Sequence, residues 1–439
     1  MNIKVYITCF LLFLGFFSKA QQILSKNEAV KLALENNYGI KIVTNTVEVA
    51  NNNKGILNSG YLPSLTGNAG GSIDVQDTEG QLANGETRVA DGAETRRYNA
   101  SINLNYTLFD GLGRLYNYKR LKEQYKLSEL DARETIETTI LQMFSIYYTI
   151  AQLSENTSAL EQTLAISKGR LTRANYQFDY GQNTKLEVLN AEVDINNDSI
   201  ALIGIRQELK NTKRDLNVIL GNAYAENFQV DTELNFLLQL EREPLLKTMK
   251  ANNIFLLQAQ TNINISQFDI KTSKAQFLPT VGLIGSYGWN ESNNNSPLAF
   301  TLQNTTNGVS GGLNLTWNLF DGGSTITQIK NNKIFLENQK LEKERLIIDV
   351  ERNFNNAWDD YQNKLVIYKI QEDNIITAQN NFERTSEKFK LGQVNSIEFR
   401  QAQLNLLNAE LSRNQAKYLA KLAELDLLQI SGELLNVDF

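Results

Sequence analysis

The side chains that most often carry catalysis or hold metals are nearly missing from this 439-residue chain. It has no histidine and a single cysteine, Cys9. There is therefore no imidazole base or ligand, no Ser–His or Cys–His pair, no internal disulfide and no cysteine-based zinc site. No Gly-rich loop suited to phosphate binding occurs, and paired acids such as Asp359-Asp360 fall in helical sequence and read as solvated surface. The acids with a repeated setting are Glu187, which follows Gly181-Gln182, and Glu398, which follows Gly392-Gln393. Carboxylates there can act electrostatically, attracting cations and repelling anions wherever a passage narrows. They also suit helix starts, since Thr184-x-x-Glu187 and Asn395-x-x-Glu398 are good capping sequences. The composition points away from an enzyme and implies no cofactor or metal.

Charge and length bound the rest. The 43 Lys+Arg against 49 Asp+Glu argue against a nucleic-acid partner. Four prolines in the whole chain imply long uninterrupted helices. At the N-terminus, Lys4 precedes an apolar run from Val5 to Phe17, followed by Ser18-Lys19-Ala20. This reads as a secretory signal peptide over 1–20, cleaved after Ala20; the run is too short for a spanning helix. No later stretch is apolar enough to span as a helix, so membrane insertion would have to use strands.

The chain is written twice. Asn36-Asn37 recur as Asn252-Asn253 and Pro63 as Pro279, and Phe109-Asp110-Gly111 recur as Phe320-Asp321-Gly322. Phe178, Gly181, Glu187, Ala191 and Gly221 recur as Phe389, Gly392, Glu398, Ala402 and Gly432. A first repeat over 21–221 and a second over 244–439 are thus expected, joined by a linker over 222–243. Each repeat reads helix, strand, loop, strand, very long helix, turn, helix. The first helix, about 25–60, opens on the capping box Ser25-x-x-Glu28. The stretches 114–180 and 324–390 predict helices about 100 Å long, far beyond the globular norm. Heptad ladders such as Val188, Ile195, Leu202, Leu209 and Leu216 suit the wall of a helical tube and an ordinary antiparallel bundle equally.

Four strands are expected, at about 62–74, 97–109, 278–290 and 308–320. Each alternates, with Ile284 the exception: Tyr98, Ala100, Ile102, Leu104 and Tyr106 interleave with Asn99, Ser101, Asn103 and Asn105. A soluble half-buried sheet alternates in the same way. Strands near ten residues with aromatics toward their ends, behind a signal peptide and joined to such helices, favour one face to lipid and one to water. Tyr98, Tyr106, Tyr287, Trp289 and Trp317 are candidates for an interfacial aromatic belt. Four strands cannot close a barrel, so the chain must oligomerise. The polar segments 75–95 and 292–307 are expected as exposed loops.

The doubled unit resembles the TolC family of outer-membrane efflux proteins. The resemblance rests on Leu62-Pro63 and Leu278-Pro279 at the helix-to-strand junctions, on Leu-Phe-Asp-Gly after strands two and four, and on the turns Phe178–Ala191 and Phe389–Ala402. It implies a mainly α protein with β, a homotrimer whose twelve-stranded outer-membrane β-barrel, four strands per chain, continues into a long periplasmic α-helical barrel. It also implies the passive exit duct of a tripartite efflux or type I secretion system, working with a periplasmic adaptor and an inner-membrane transporter. Gly181, Gln182, Gly392 and Gln393 would then lie where the adaptor docks, and 222–243 in a belt around the tunnel. The family carries an acidic gate at the position of Glu398 and a second acid one helical turn on; here that second position is Gln401, with Asn190 as its counterpart in the first repeat. Pore-constriction candidates are thus Glu398, Gln401, Glu187 and Asn190. The alternative is a structural or adhesive outer-membrane coiled-coil protein with no transport role.

Overall fold

A computed structural model describes residues 22–224, 227–237, 240–296 and 298–437. The expected signal peptide, with Cys9, lies outside the described residues. The elements run β1 (Gln22–Leu24), α1 (Lys26–Asn36), α2 (Tyr38–Asn53), β2 (Ser64–Gln81), β3 (Thr87–Asp110), α3 (Gly113–Asp179), α4 (Lys185–Ile219) and β4 (Phe228–Val230). The second half continues with α5 (Arg242–Asn252), α6 (Ile254–Ala275), β5 (Thr280–Asn294), β6 (Gln303–Thr316), α7 (Ser324–Lys390) and α8 (Ser396–Ser431). Helices α3 and α7 are each 67 residues long without interruption. Two compact units result, one from the described parts of Met1–Thr46, Leu130–Gln258 and Glu344–Phe439, the other from Val47–Glu129 and Ala259–Lys343.

The second unit holds an antiparallel sheet of order β2-β3-β5-β6. Its first hairpin departs from the expected ranges. The segment 75–95 is mostly strand, and the loop shrinks to a tight turn closed by Leu82 N–H to Glu86 O and Gly85 N–H to Leu82 O, both 2.8 Å. The pairing survives through a bulge between Gln76 and Thr78, where the Asp77 carboxylate accepts from Gly92 N–H at 2.6 Å. Polar residues on both sides of that extension hid the strand, because alternation marks a strand only where its two faces meet different media. The loop expected at 292–307 likewise narrows, with β5 reaching Asn294 and β6 starting at Gln303. At its other end β6 stops at Thr316, so Trp317 to Phe320 lie beyond the strand rather than in it. A second bulge inserts Leu108 between Thr107 and Phe109 and sets Phe109 opposite Val281.

In the first unit, the doubled Asn-Asn and Gly positions turn out to be one junction built twice. The helix expected over about 25–60 breaks at Asn37, whose backbone leaves the helical region at φ −61°, ψ 127°. Its side chain accepts from Ile40 N–H at 3.2 Å to start α2 and donates to Ile219 O at 2.9 Å, near the end of α4. Asn253 repeats this: it accepts from Phe255 and Leu256 N–H and donates to Ile430 O at 2.9 Å. Gly221 and Gly432 end the facing helices at φ +69° and +74°. A β-carbon on either would meet the carbonyl oxygen of Asn36 at 2.5 Å or of Asn252 at 2.6 Å. The four repeated residues therefore seat the end of one helix on the break in another.

The core of this unit is aromatic. Phe144, Tyr148 and Tyr418 stack in sequence, at centroid distances of 5.7 Å and 5.9 Å, and all are buried. The Tyr147 hydroxyl donates to Leu24 O at 2.7 Å and accepts from Asp231 N–H at 3.0 Å, bracing the parallel pair β1–β4. Within 222–243, Lys417 donates to Thr232 O and Lys421 to Asn235 O, and Leu237 N–H donates to Glu424. Burial pushes the Tyr361 phenol up to about 12 and raises the Glu137 carboxyl, with Arg133 pulling the other way.

Replacing Gly432 with Ala is expected to destabilise the protein by more than about 1 kcal/mol, the left-handed penalty alone, with the collision against Asn252 added. Gly169, inside α3 with open space around it, is the control: Gly169→Ala is expected to stabilise by up to about 1 kcal/mol. Chemical denaturation of both variants in detergent checks the opposite signs.

Candidate functional site

The two helix reversals are built alike. In the first, Gly181 N–H donates to Phe178 O at 2.9 Å and Gln182 N–H to Gln177 O at 2.7 Å. In the second, Gly392 N–H donates to Phe389 O at 3.1 Å and Gln393 N–H to Lys388 O at 2.9 Å. This paired pattern, closed by a residue in the left-handed region, is a Schellman cap. Gly181 and Gly392 supply it at φ +71° and +75°. All four turn residues are exposed.

Past their glycines the two reversals differ. Asn395 accepts from Glu398 N–H at 2.9 Å, and Glu398 accepts from Asn395 N–H at 3.2 Å, completing a capping box. Thr184 makes no such side-chain bond, and one carboxylate oxygen of half-buried Glu187 has no hydrogen-bond partner among the described residues. Glu398, Gln401 and Asn190 are exposed, and Gln401 donates to Asn405 at 2.8 Å. Phe389 stacks on Phe399 at 4.6 Å, with the Arg173 guanidinium 5.1 Å from its ring centre. Arg173 also donates to Lys390 O at 2.9 Å, joining the end of α7 to α3.

Beneath the turns lies a charged cluster that sequence reading missed. Arg400, two residues past Glu398, grips Asp198 with two hydrogen bonds of 2.7 and 2.9 Å. Asp198 also accepts from the Ser167 hydroxyl at 2.6 Å, and Gln403 donates to Thr163 O at 2.9 Å. Arg170 pairs with Asp194, whose other oxygen is 3.6 Å from Arg400. Only 6% of the Asp198 side chain is exposed, so the cluster pins α3, α4 and α8 together under both turns. The available signal was same-face spacing: Ser167 with Arg170, Asp194 with Asp198, and Arg400 with Gln403 lie three or four apart.

On the sheet, the register separates two surfaces. Leu65, Ile102, Leu104, Tyr106, Leu283 and Tyr287 share one face, with Tyr98 and Trp289. Gly71 lies opposite Tyr98, and a β-carbon there would be 3.3 Å from the tyrosine ring, so the glycine leaves room for it. Tyr98 and Tyr106 are eight residues apart on β3, about 27 Å of strand, close to the height of the apolar band on outer-membrane barrels. Trp317, beyond β6, donates from its indole N–H to Phe277 O at 3.1 Å. The other face is polar, and a hollow of about 520 Å³ on it is lined by Asn68, Asn103, Asn105, Ser286 and Ser310, with Ile284.

A sheet with one apolar and one polar face and open outer edges, together with helices too long for an ordinary bundle, defines a membrane channel subunit. The profile of the outer membrane efflux protein family matches residues 29–222 and again 245–433. The chain belongs to that family and is an outer-membrane channel for efflux. It is 22% identical over 406 residues to the outer membrane efflux protein BepC of Brucella suis, covering 92% of this chain and 85% of that protein. It is 21% identical to the cation efflux system protein CusC of Escherichia coli O157:H7, covering 91% and 84%. Its fold matches the Campylobacter jejuni CmeC outer membrane channel with a TM-score of 0.77 at 19% identity, covering 93% of this chain and 86% of that one. The Vibrio cholerae outer membrane protein VceC matches at 0.72 and 14% identity, covering 93% and 96%.

Arg400→Ala strands the Asp198 carboxylate in a buried site, at an expected cost of about 3–5 kcal/mol. Amide exchange should accelerate in 160–200 and 395–405 while the distant core around Tyr147 stays protected. Adding Asp198→Asn to Arg400→Ala is expected to recover part of the loss.

Proposed function

We propose that three copies of the chain join β6 of one to β2 of the next, closing a twelve-stranded barrel whose apolar face meets lipid and whose polar face lines the passage. The carrying observation is the pair of open edges on a sheet whose faces are already sorted into apolar and polar. An unpaired strand edge is not tolerated in hydrocarbon, and three four-stranded sheets complete one ring. In this reading Tyr98 and Trp289 mark one membrane interface and Tyr106 and Trp317 the other, while Tyr287, opposite Ile102, lies midway between them on the apolar face. The exposed turns at Gly181-Gln182 and Gly392-Gln393 present rigid, polar backbone to a periplasmic adaptor, which couples the duct to an inner-membrane transporter. The segment 222–243, strapped down by Lys417 and Lys421, forms a belt around the helices.

Glu398 is the acid best placed to act on permeating ions: it is exposed and its position is fixed by the capping box. Glu187 is half-buried and Gln401 and Asn190 are uncharged, so of these four positions Glu398 alone offers an exposed carboxylate. A structural or adhesive role would need no polar sheet face, which favours the duct.

Native mass spectrometry of the detergent-extracted protein is expected to give a trimer; a stable monomer would sink the shared barrel. Glu398→Gln keeps a cap acceptor, so stability is expected to hold within about 0.5 kcal/mol. Cation preference in planar bilayers is expected to fall; an unchanged preference would remove Glu398 from the conducting path.

A further inference from the structure

The first turns of α3 and α7, next to the sheet, are basic in an otherwise acidic chain. Residues 113–126 hold five bases against one acid and 324–340 three against one, while the whole chain is net −6. The pattern belongs to the duplication: Leu115, Lys119 and Lys122 recur as Ile326, Lys330 and Lys333. At about 100° per residue each set forms one strip along its helix. All four lysines are exposed, and none makes an ion pair among the described residues. Lys122 rests 4.4 Å over the Tyr118 ring. The neighbouring acids are already engaged, Asp110 by Arg114, Glu123 by Lys126 and Asp269 by Arg120.

Packing fixes the side on which the strips lie. On one flank of α3, Arg114 and Tyr118 meet Gly60 and Tyr61 of the segment entering β2. On the other, Arg120 and Glu123 meet Asp269 and Asn264 of α6. Lys119 and Lys122 occupy one of the two faces left between these flanks, and Asn117 and Gln124 the other. In β3 the carbonyl of Asn105 points toward β2 and that of Glu94 toward β5. For L-residues and a right-handed helix running on from β3, these directions put the lysine face on the side of Tyr98, Ile102 and Leu104. On α7, Thr325 and Asn332 meet α6 in the same way, which leaves Lys330 and Lys333 on that side too.

We propose that the two strips bind anionic phospholipid headgroups in the leaflet on the helical side of the membrane. This rests on the apolar sheet face meeting lipid, as proposed above. Lys119 and Lys330 lie about 9 Å, and Lys122 and Lys333 about 14 Å, past the first residues of their helices. Helical side chains lean toward the N-terminus, here back toward the membrane. Extended lysines thereby reach the polar layer, which adds roughly 5–8 Å to each side of the hydrocarbon. One turn nearer the sheet each strip carries an aliphatic residue, Leu115 or Ile326, suited to the start of an acyl chain.

Electron spin resonance of spin-labelled lipids, in phosphatidylcholine vesicles holding the full-length protein, tests the assignment. The wild type is expected to hold labelled phosphatidylglycerol over labelled phosphatidylcholine by about fivefold or more, the value of one lysine beside an anionic surface. Salt at about 1 M is expected to erase most of that preference. The fourfold variant Lys119→Gln, Lys122→Gln, Lys330→Gln, Lys333→Gln is expected to lose it, and the same four changed to Arg to keep it. No preference in the wild type, or one that the glutamine variant keeps, overturns the inference. So does a glutamine variant that is no longer trimeric by native mass spectrometry, since the lysines would then serve the contact between copies. Sheet orientation is checked separately with introduced thiols, because the chain's only cysteine is Cys9, outside the expected mature protein. Asn103→Cys is expected to react with a membrane-impermeant thiol reagent and Ile102→Cys to stay unmodified. The reverse pattern overturns the orientation and this inference with it; the expected pattern without a lipid preference overturns the lysine assignment alone.

Discussion

Backbone N–H and C=O groups cannot stand unpaired in hydrocarbon, and the four-stranded sheet is arranged around that constraint. Inside the sheet every strand has its neighbours, and β2 and β6 each keep one free edge. A water-soluble sheet could blunt such edges with charge, bulges or proline. Here the membrane-length parts of both edge strands are uncharged and unbroken by proline, which suits an edge that will be covered by the same chain again. Oligomerisation is then part of completing the fold.

Duplication explains the economy of the helical unit. Asn37 with Gly221, and Asn253 with Gly432, form the same seat twice, with the same donors and acceptors and nearly the same backbone angles. The helix reversals are also alike up to their glycines. Beyond the glycines the copies part: one completes a capping box through Glu398, and the other leaves Glu187 half-buried without that cap. The divergence falls among exposed turn residues, where packing constrains the sequence least and where a gate or a docking surface would be tuned.

The sheet was legible wherever its two faces differ. Alternation located all four strands because one face is apolar and the other polar, and the two select different side chains at period two. It failed for the extension of the first hairpin, where both faces are polar, and it overran at Trp317, where apolar residues continue after pairing has stopped. The cluster of Arg170, Asp194, Asp198 and Arg400 was not legible as a unit. Its members come from three helices up to 230 positions apart, from Arg170 to Arg400, and each one, seen along its own helix, looks like an ordinary surface charge.

By itself the sequence determined the doubled architecture, the long helices, the faces of the strands and the turn glycines, because each is recorded locally as a repeat, a missing proline or a period. Only the tertiary structure decided which Asn and Gly residues meet, which carboxylate is committed to a cap, and that Arg400 serves Asp198 rather than solvent. Those outcomes depend on distances between segments far apart in the chain, and no local pattern of side chains records such a distance.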